Sequence, residues 1–415
     1  MQPTGTLPLQ DWMMSLASKA VMQALMAEGG IARFVGGCVR DAVVGRSISD
    51  IDIATTESPS VVMQLLKEYK VVGIGASHGS ILAVVKGVPF HITTLRADVE
   101  TFGRHARVSF VDDWKEDAKR RDLTCNALYL DLDGTLYDPC GGVEDLKQGR
   151  VRFIGDAAER IREDYLRVLR YFRFQAIYGT YPPELEALEA CCQASSGLKQ
   201  LSGERIWYEL KRLLQVDSPV RVLQQMWSCN VFAVLFPYLH LDGTSFLALE
   251  RLVTLEHQMH MQSDALRRLA CMIQGNRAVA ERIIERLKFS RSESKQLLTL
   301  TRILRNPPNI DDRKTMYTLL HKHGATLYRE IALLLADQQI NVPLDQAPIW
   351  LQRHFDSAEH WWSPELPVRG SDIIELGVPR SPKVSQLLKE LEDWWLENGC
   401  RPTREKCLAW LQERI

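Results

Sequence analysis

Ser49-Asp50-Ile51-Asp52-Ile53-Ala54-Thr55 is the stretch that most constrains this chain. Carboxylates and apolar residues alternate along it. At period 2 this reads as a strand with Ile51 and Ile53 toward a core and Asp50 and Asp52 sharing the opposite face. Two like charges held side by side on a rigid strand are costly unless a cation sits between them, and a hard cation with oxygen ligands such as Mg²⁺ suits that position. Upstream, Phe34-Val35 runs into Gly36-Gly37-Cys38-Val39-Arg40-Asp41. Glycines after a strand let backbone N–H groups approach an anion, and a following helix start adds its positive end. The two segments together predict a metal site beside a phosphate cradle; a surface turn is the alternative for a short D-x-D string on its own.

The chain has 415 residues, enough for two to four structural units. With 46% hydrophobic and 25% charged residues it has the composition of a soluble globular protein. The net charge of −1 means that any polyanion site must be a local patch. Nine cysteines without C-x-x-C pairs, two of them adjacent at Cys191-Cys192, speak against a zinc ribbon or a disulfide scaffold and for a reducing compartment. With neither a secretory signal nor a long uncharged span in the sequence, the expected location is the cytoplasm, with no membrane partner.

Read in order, the pattern predicts a helix from about Leu9 to Glu28, the glycine-pair segment, the carboxylate strand and a helix opened by Pro59. Strands follow at Lys70–Ile74, Ser80–Val85 and Val88–Leu95. From Arg96 to Asp117 the charges are mixed and periodicity is lost, which reads as a loop at an active-site edge. Asp133-Gly134 marks a hairpin, and Asp138 to Gly142 closes the sheet domain. Beyond Val143 the pattern is helical almost to the end, beginning with one helix over Ala157–Ile177 that carries Arg160, Arg162, Arg167, Arg170 and Arg173. Thr403 is a candidate N-cap for the last helix.

Four segments recur in a fixed order: the Gly-Gly-x-Val-Arg-Asp string, Asp50-Ile51-Asp52, Arg120-Arg121-Asp122-Leu123-Thr124-Cys125-Asn126-Ala127-Leu128, and Glu163-Asp164-Tyr165-Leu166-Arg167 continuing to Phe174. Glu204-Arg205-Ile206-Trp207-Tyr208-Glu209-Leu210 follows them, and Val368 to Pro379 forms a further segment near the C-terminus. In this order they resemble the bacterial-type (class II) CCA-adding tRNA nucleotidyltransferases and the related bacterial poly(A) polymerases. The resemblance implies an α+β architecture: a mixed-sheet nucleotidyltransferase head over residues 1–142, a base-recognising helical neck over 143–230, a helical body over 231–330 and a tRNA-binding helical tail over 331–415.

It also implies an activity: template-independent addition of C, C and A to the tRNA 3′ end from CTP and ATP, with release of pyrophosphate. Asp50 and Asp52 are then catalytic and hold two Mg²⁺ ions, in keeping with a phosphoryl transfer driven by positioning and charge neutralisation. Gly36, Gly37 and Arg40 are expected at the triphosphate, and Arg121, Asp122 and Asn126 at the nucleotide and its ribose. Asp164 and Arg167, i and i+3 on one helix face, are expected to select the base. Cytosine and adenine each present an amino donor beside a ring-nitrogen acceptor, which an Asp beside an Arg complements. A surface salt bridge is the bland alternative. Arg170, Arg173, Glu204 and Arg205 are supporting residues.

One departure concerns Phe90 to Arg96, where the family segment has Glu or Asp and this chain has His91; with Arg96 it is the least defined part of the site. His78 reads as structural. In the helical arm Arg267, Arg268, Arg282, Arg286, Lys288, Arg291, Lys295 and Arg302 are candidates for neutralising tRNA phosphates. Trp394 and Trp395 read as tail packing. A poly(A) polymerase of the same family, or an enzyme adding only CC or only A, shares nearly the same catalytic set.

Overall fold

A computed structural model describes residues 1–75, 79–102, 105–338, 346–362 and 364–415. The chain divides into two compact units, Met1–Pro237 and Tyr238–Ile415. The first holds a mixed sheet followed by helices, and the second is helical, so the α+β expectation holds. Among the described residues no helix is long and apolar enough to cross a membrane.

Among the described residues of the first unit ten strands form: β1 (Gly5–Thr6), β2 (Ala32–Val35), β3 (Ile51–Thr55), β4 (Lys70–Gly75), β5 (Ser80–Val85), β6 (Val88–Thr94), β7 (Arg96–Phe102), β8 (His105–Phe110), β9 (Tyr129–Leu130) and β10 (Thr135–Tyr137). Eight of them make one sheet in the order β1-β10-β9-β2-β3-β6-β5-β4. Neighbours β3 and β6 run parallel, and the other described neighbours in this sheet are antiparallel. The period-2 reading of β3 is met: Ile53 is fully buried and Ile51 nearly so, while Asp52 stays half-buried on the other face. Asp50 is exposed and stands one residue before the strand.

The first expected helix is in fact two, Asp11–Met14 and Leu16–Met26, because Ser15 leaves the helical region (ψ 150°) and caps the second through Ser18 N–H at 3.0 Å. The stretch from Arg96 to Asp117 is not a loop. β7 and β8 pair as a separate antiparallel hairpin, and Trp114–Lys119 is a helix capped by the Asp113 side chain. The charged residues that hid the strand pattern lie in a two-stranded ribbon, which has no need of an alternating buried face. His78 lies outside the described residues.

The single helix expected over Ala157–Ile177 is also two, Ala157–Glu163 and Leu166–Tyr178. Between them Asp164 is extended (φ −154°, ψ 107°), and its Oδ1 accepts the Leu166 N–H at 3.1 Å. No glycine or proline marks the break. A short acidic side chain competes with the backbone for N–H groups, and here it wins. Further on, the Cα atoms of Cys192 and Cys229 lie 4.5 Å apart and the two are joined by a disulfide, although the cysteine pattern speaks against a disulfide scaffold; the other seven cysteines are free.

In the second unit, capping boxes start the helices Gly243–Gln258 (Asp242 with Ser245) and Arg291–Arg305 (Ser290 with Glu293). Helix Arg313–Gln338 breaks at Gly324 (φ 75°, ψ 167°), a left-handed position that favours glycine. Arg267 and Arg268 are not phosphate contacts. Both are buried and share Glu256, also buried, at 2.7 and 2.6 Å. Placed on Ala265–Ile273, a helix buried along its whole length, they are internal ion pairs whose partner lies beyond the reach of local pattern. Trp395 is buried in the C-terminal core with Leu387, Leu391 and Leu411, and Trp394 packs against that core, as read. Thr403 occupies the N-cap position of Arg404–Gln412 without a side-chain cap bond.

Candidate active site

β2 delivers the chain to Gly36, whose backbone (φ 69°, ψ −120°) turns it into the helix Gly37–Val43. A side chain at Gly36 would be strained by that φ and would stand 3.7 Å from Arg121 Nη1. At Gly37 a Cβ would lie 3.7 Å from Arg40 Nη2 and 4.0 Å from Asp52 Oδ2. The glycine pair thus keeps clear the space between two guanidiniums and the strand carboxylate. The helix has only seven residues, so side chains supply most of the positive charge.

A cavity of about 490 Å³ opens there. Gly36, Gly37, Arg40, Asp50, Asp52, Arg121, Asp122, Asn126, Arg170 and Arg173 all line it, so ten of the residues singled out in the sequence meet in one place. Burial pushes the Asp52 carboxyl above its ordinary value and Asp50 adds to this, while His91, Arg121 and Arg40 pull it back. His91 is the Cα partner of Asp52 on the parallel neighbour β6 and is exposed. Neither His91 nor Arg96, at the start of β7, lines the cavity.

The arginines are fixed from behind. Arg40 donates to both oxygens of Asp41 at 3.0 and 2.9 Å and to Asn126 Oδ1 at 2.7 Å. The Tyr178 hydroxyl donates to Asp41 at 2.6 Å, so Arg40 is both an ion-pair member and a cavity wall. Arg120 and Arg121 share Asp117 at 2.6 and 2.9 Å, and the Tyr129 hydroxyl donates to it at 2.8 Å. Asp122 accepts from Arg170 Nε at 2.5 Å and from Asn126 Nδ2 at 3.0 Å; burial would raise its carboxyl, yet Arg170 and these hydrogen bonds hold it well below the usual range. Glu209, also buried, takes Arg173 at 2.6 Å and Arg170 at 3.6 Å.

Sequence reading missed Asp117, Glu209 and Arg212. Asp117 stands three and four residues before Arg120 and Arg121, a helical ion-pair spacing that the loop reading of this stretch concealed. Glu209 lies in a quoted motif but gives no sign of being buried. Arg212 lines the cavity with its guanidinium 4.2 Å from the Tyr208 ring centroid, one turn along the same helix.

Asp117 titration makes a direct prediction. Burial favours the neutral acid, but Arg121, Arg120 and Tyr129 outweigh it and hold the carboxyl at about 2, below its ordinary 3.8. A depressed carboxyl stabilises the fold fully above its unfolded value, and that contribution disappears as pH falls through the folded one. About 2 kcal/mol should therefore be lost between roughly pH 4 and pH 2. Asp117→Asn is expected to lack this part of the acid limb and to cost about 3 kcal/mol at pH 7, because two guanidiniums lose a buried partner. Denaturant melts across the pH series measure both; equal acid limbs in the two proteins would refute the assignment.

Asp164 and Arg167, the pair expected to select the base, do not line this cavity. Asp164 and Arg205 line a second one of about 370 Å³, with Glu163, Tyr165 and Ser202. Asp164 Oδ2 accepts from Arg205 Nη2 at 2.7 Å. Arg167 lines neither described cavity; it pairs with Glu163 and donates to the Arg160 carbonyl at 2.5 Å. Since Asp164 is outside the helix, the expected shared helix face does not exist. A chain of contacts still links the two regions, because Arg160 pairs with Glu163 at 2.7 Å and donates to the Arg121 carbonyl at 2.7 Å. Glu204 is exposed in the first turn of Gly203–Leu214.

Comparison with known proteins gives a consistent picture. Residues 32–152 match the family "Poly A polymerase head domain", and residues 182–242 match "Probable RNA and SrmB-binding site of polymerase A". The chain is 36% identical over 391 residues to the mitochondrial CCA tRNA nucleotidyltransferase 1 of Danio rerio, covering 92% of this chain and 87% of the relative. It is 30% identical over 406 residues to a CCA-adding enzyme of Bacillus cytotoxicus, covering 95% and 97%. A crystal structure of the Bacillus stearothermophilus CCA-adding enzyme in complex with CTP superimposes with a TM-score of 0.76 at 28% identity, covering 96% of each chain.

Proposed function

The chain belongs to the family of class II CCA-adding tRNA nucleotidyltransferases and poly(A) polymerases, and from that premise we propose that it adds C, C and A to the 3′ end of tRNA. It takes CTP and ATP and releases pyrophosphate. The observation that carries this reading is the single cavity in which Asp50 and Asp52 face Arg40, Arg121 and the Asp122–Arg170 pair. Carboxylates and guanidiniums line it together, as transfer between a hydroxyl and a triphosphate requires.

Asp50 and Asp52 would hold two Mg²⁺ ions. The donor set fits: two carboxylates on the cavity lining supply hard oxygen ligands. When bound, Mg²⁺ supplies activation of the RNA 3′-hydroxyl and neutralisation of the leaving pyrophosphate. Arg40 and Arg121, held by Asp41 and Asp117, present N–H donors to the triphosphate without rearranging. Gly36 and Gly37 keep room for it. Asp122 and Asn126, bonded to each other, would meet the nucleotide and its ribose. Asp164 and Arg167 read the base; Arg170, Arg173, Glu204 and Arg205 support the elements that carry them.

The test offers purified protein with Mg²⁺ a set of tRNAs ending before CCA, after C and after CC, with each nucleotide alone and together. Addition that stops once CCA is restored is the expected result; long A-tracts on unrelated RNA would replace this reading by poly(A) synthesis, and arrest after CC or addition of A alone by partial addition. His91→Ala is expected to leave kcat/KM within about five-fold at pH 7, because an exposed polar side chain on the neighbouring strand is worth at most about 1 kcal/mol to Asp52. A hundred-fold loss would make His91 a working member of the site.

A further inference from the structure

In the second unit, helices Arg291–Arg305 and Arg313–Gln338 are neighbours, and each buries apolar residues, Leu297 and Leu300 on the first and Leu320 and Ile331 on the second. Polar side chains of both helices bound a cleft of about 340 Å³. Lys295, Gln296 and Thr299 come from the first helix, and Lys322, His323 and Glu330 from the second. Packed helices ordinarily bury apolar stripes, so two polar faces converging on a cleft need another purpose.

Donors dominate the cleft. Lys295 and Lys322 are exposed at its mouth; among the described residues no acidic side chain pairs with Lys295, and Lys322 meets Asp393, also exposed, at 3.3 Å. The local field is positive: burial lowers the basicity of His323, and Arg302, Lys295 and Lys322 lower it further. Glu330 lies deepest, with its Oε2 accepting from Gln296 Nε2 at 2.9 Å. Burial and the nearby Asp264 push its carboxyl up to about 7, so near neutral pH it carries much less negative charge than an ordinary glutamate.

We propose that this cleft binds a phosphate group, held by Lys295, Lys322 and the Thr299 hydroxyl with His323 beside them. A phosphodiester of bound RNA and free inorganic phosphate present the same chemistry. The RNA source rests on the proposed function; the phosphate site does not. Its sequence signal was weak because Lys295 is one basic residue among many, and the polar stripe shows only when both helices are placed.

Binding of inorganic phosphate, and separately of tRNA lacking its 3′ CCA, is measured on the full chain over a salt series for wild type, Lys295→Gln and Thr299→Val. If RNA supplies the phosphate, Lys295→Gln lowers the slope of log K against log salt by about one. Thr299→Val, which changes no charge, weakens tRNA binding about two- to five-fold. Both raise the KM for tRNA and leave that for CTP unchanged. If free phosphate is the ligand, its saturable binding is lost in both variants while tRNA binding is untouched. Two results overturn the site: no phosphate or tRNA binding change in either variant, or a loss of tRNA affinity in Lys295→Gln with none in Thr299→Val, which is diffuse charge. Because these readouts include binding alone, an absence of CCA addition would remove the proposed function without deciding the cleft.

Discussion

Asp52→Asn is expected to lower nucleotide transfer by at least about a thousand-fold, since a metal-held charge arrangement supplies several kcal/mol to the transition state and each 1.36 kcal/mol is tenfold in rate. The substitution keeps shape and removes charge from a half-buried strand position on the cavity wall. Stability should move the other way. The folded Asp52 carboxyl is raised above its ordinary value by burial and by Asp50, so its ionised form costs folding free energy at neutral pH. Asn carries no such cost, and the variant should melt at the same temperature as wild type or slightly higher. Single-turnover incorporation and a thermal melt on one preparation check both halves. Turnover within tenfold of wild type would sink the metal assignment, and a large drop in melting temperature would show that Asp52 is structural.

The second large effect concerns base choice. Arg167→Lys and Asp164→Asn are each expected to erode discrimination of CTP and ATP against UTP and GTP by about 10²-fold or more, the scale on which a site built to hydrogen-bond one pattern rejects another. Both oxygens of Asp164 already accept one hydrogen bond, from Leu166 N–H and from Arg205. Each retains a lone pair, so an exocyclic amino group can be accepted without displacing either partner. Arg167 is likewise pinned by Glu163 and the Arg160 carbonyl, and lysine keeps its charge but not its planar fork. Competition assays with mixed nucleotides read the ratio directly. If both variants lose only affinity for RNA and keep the ratio, Asp164 and Arg167 do not read the base.

Much of the head was legible because its signals are local. The period-2 apolar residues of β3 and the glycine pair after β2 each specify their own surroundings, and the structure puts them together. What stayed hidden depends on partners far away in the chain. Arg267 and Arg268 read as surface cations until Glu256 is seen to lie between them. The buried carboxylates Asp117 and Glu209 behind the cavity arginines look like ordinary surface acids. The hairpin of β7 and β8 escaped because a two-stranded ribbon need not hide one face. The helix break at Asp164 escaped because a side chain, rather than a glycine or proline, makes it.

That break bears on how such a protein can change over generations. Asp164 ends one helix, begins the next and, on the proposed reading, also recognises the incoming base. A joint and a reader made from one residue cannot drift separately. Substitutions that would teach the site a new nucleotide also loosen the elbow between Ala157–Glu163 and Leu166–Tyr178, and substitutions that would stiffen the elbow erase the recognition. New specificity would have to come from a different residue taking over one of the two duties first, and Arg205, already bonded to Asp164, is the neighbour placed to share that burden.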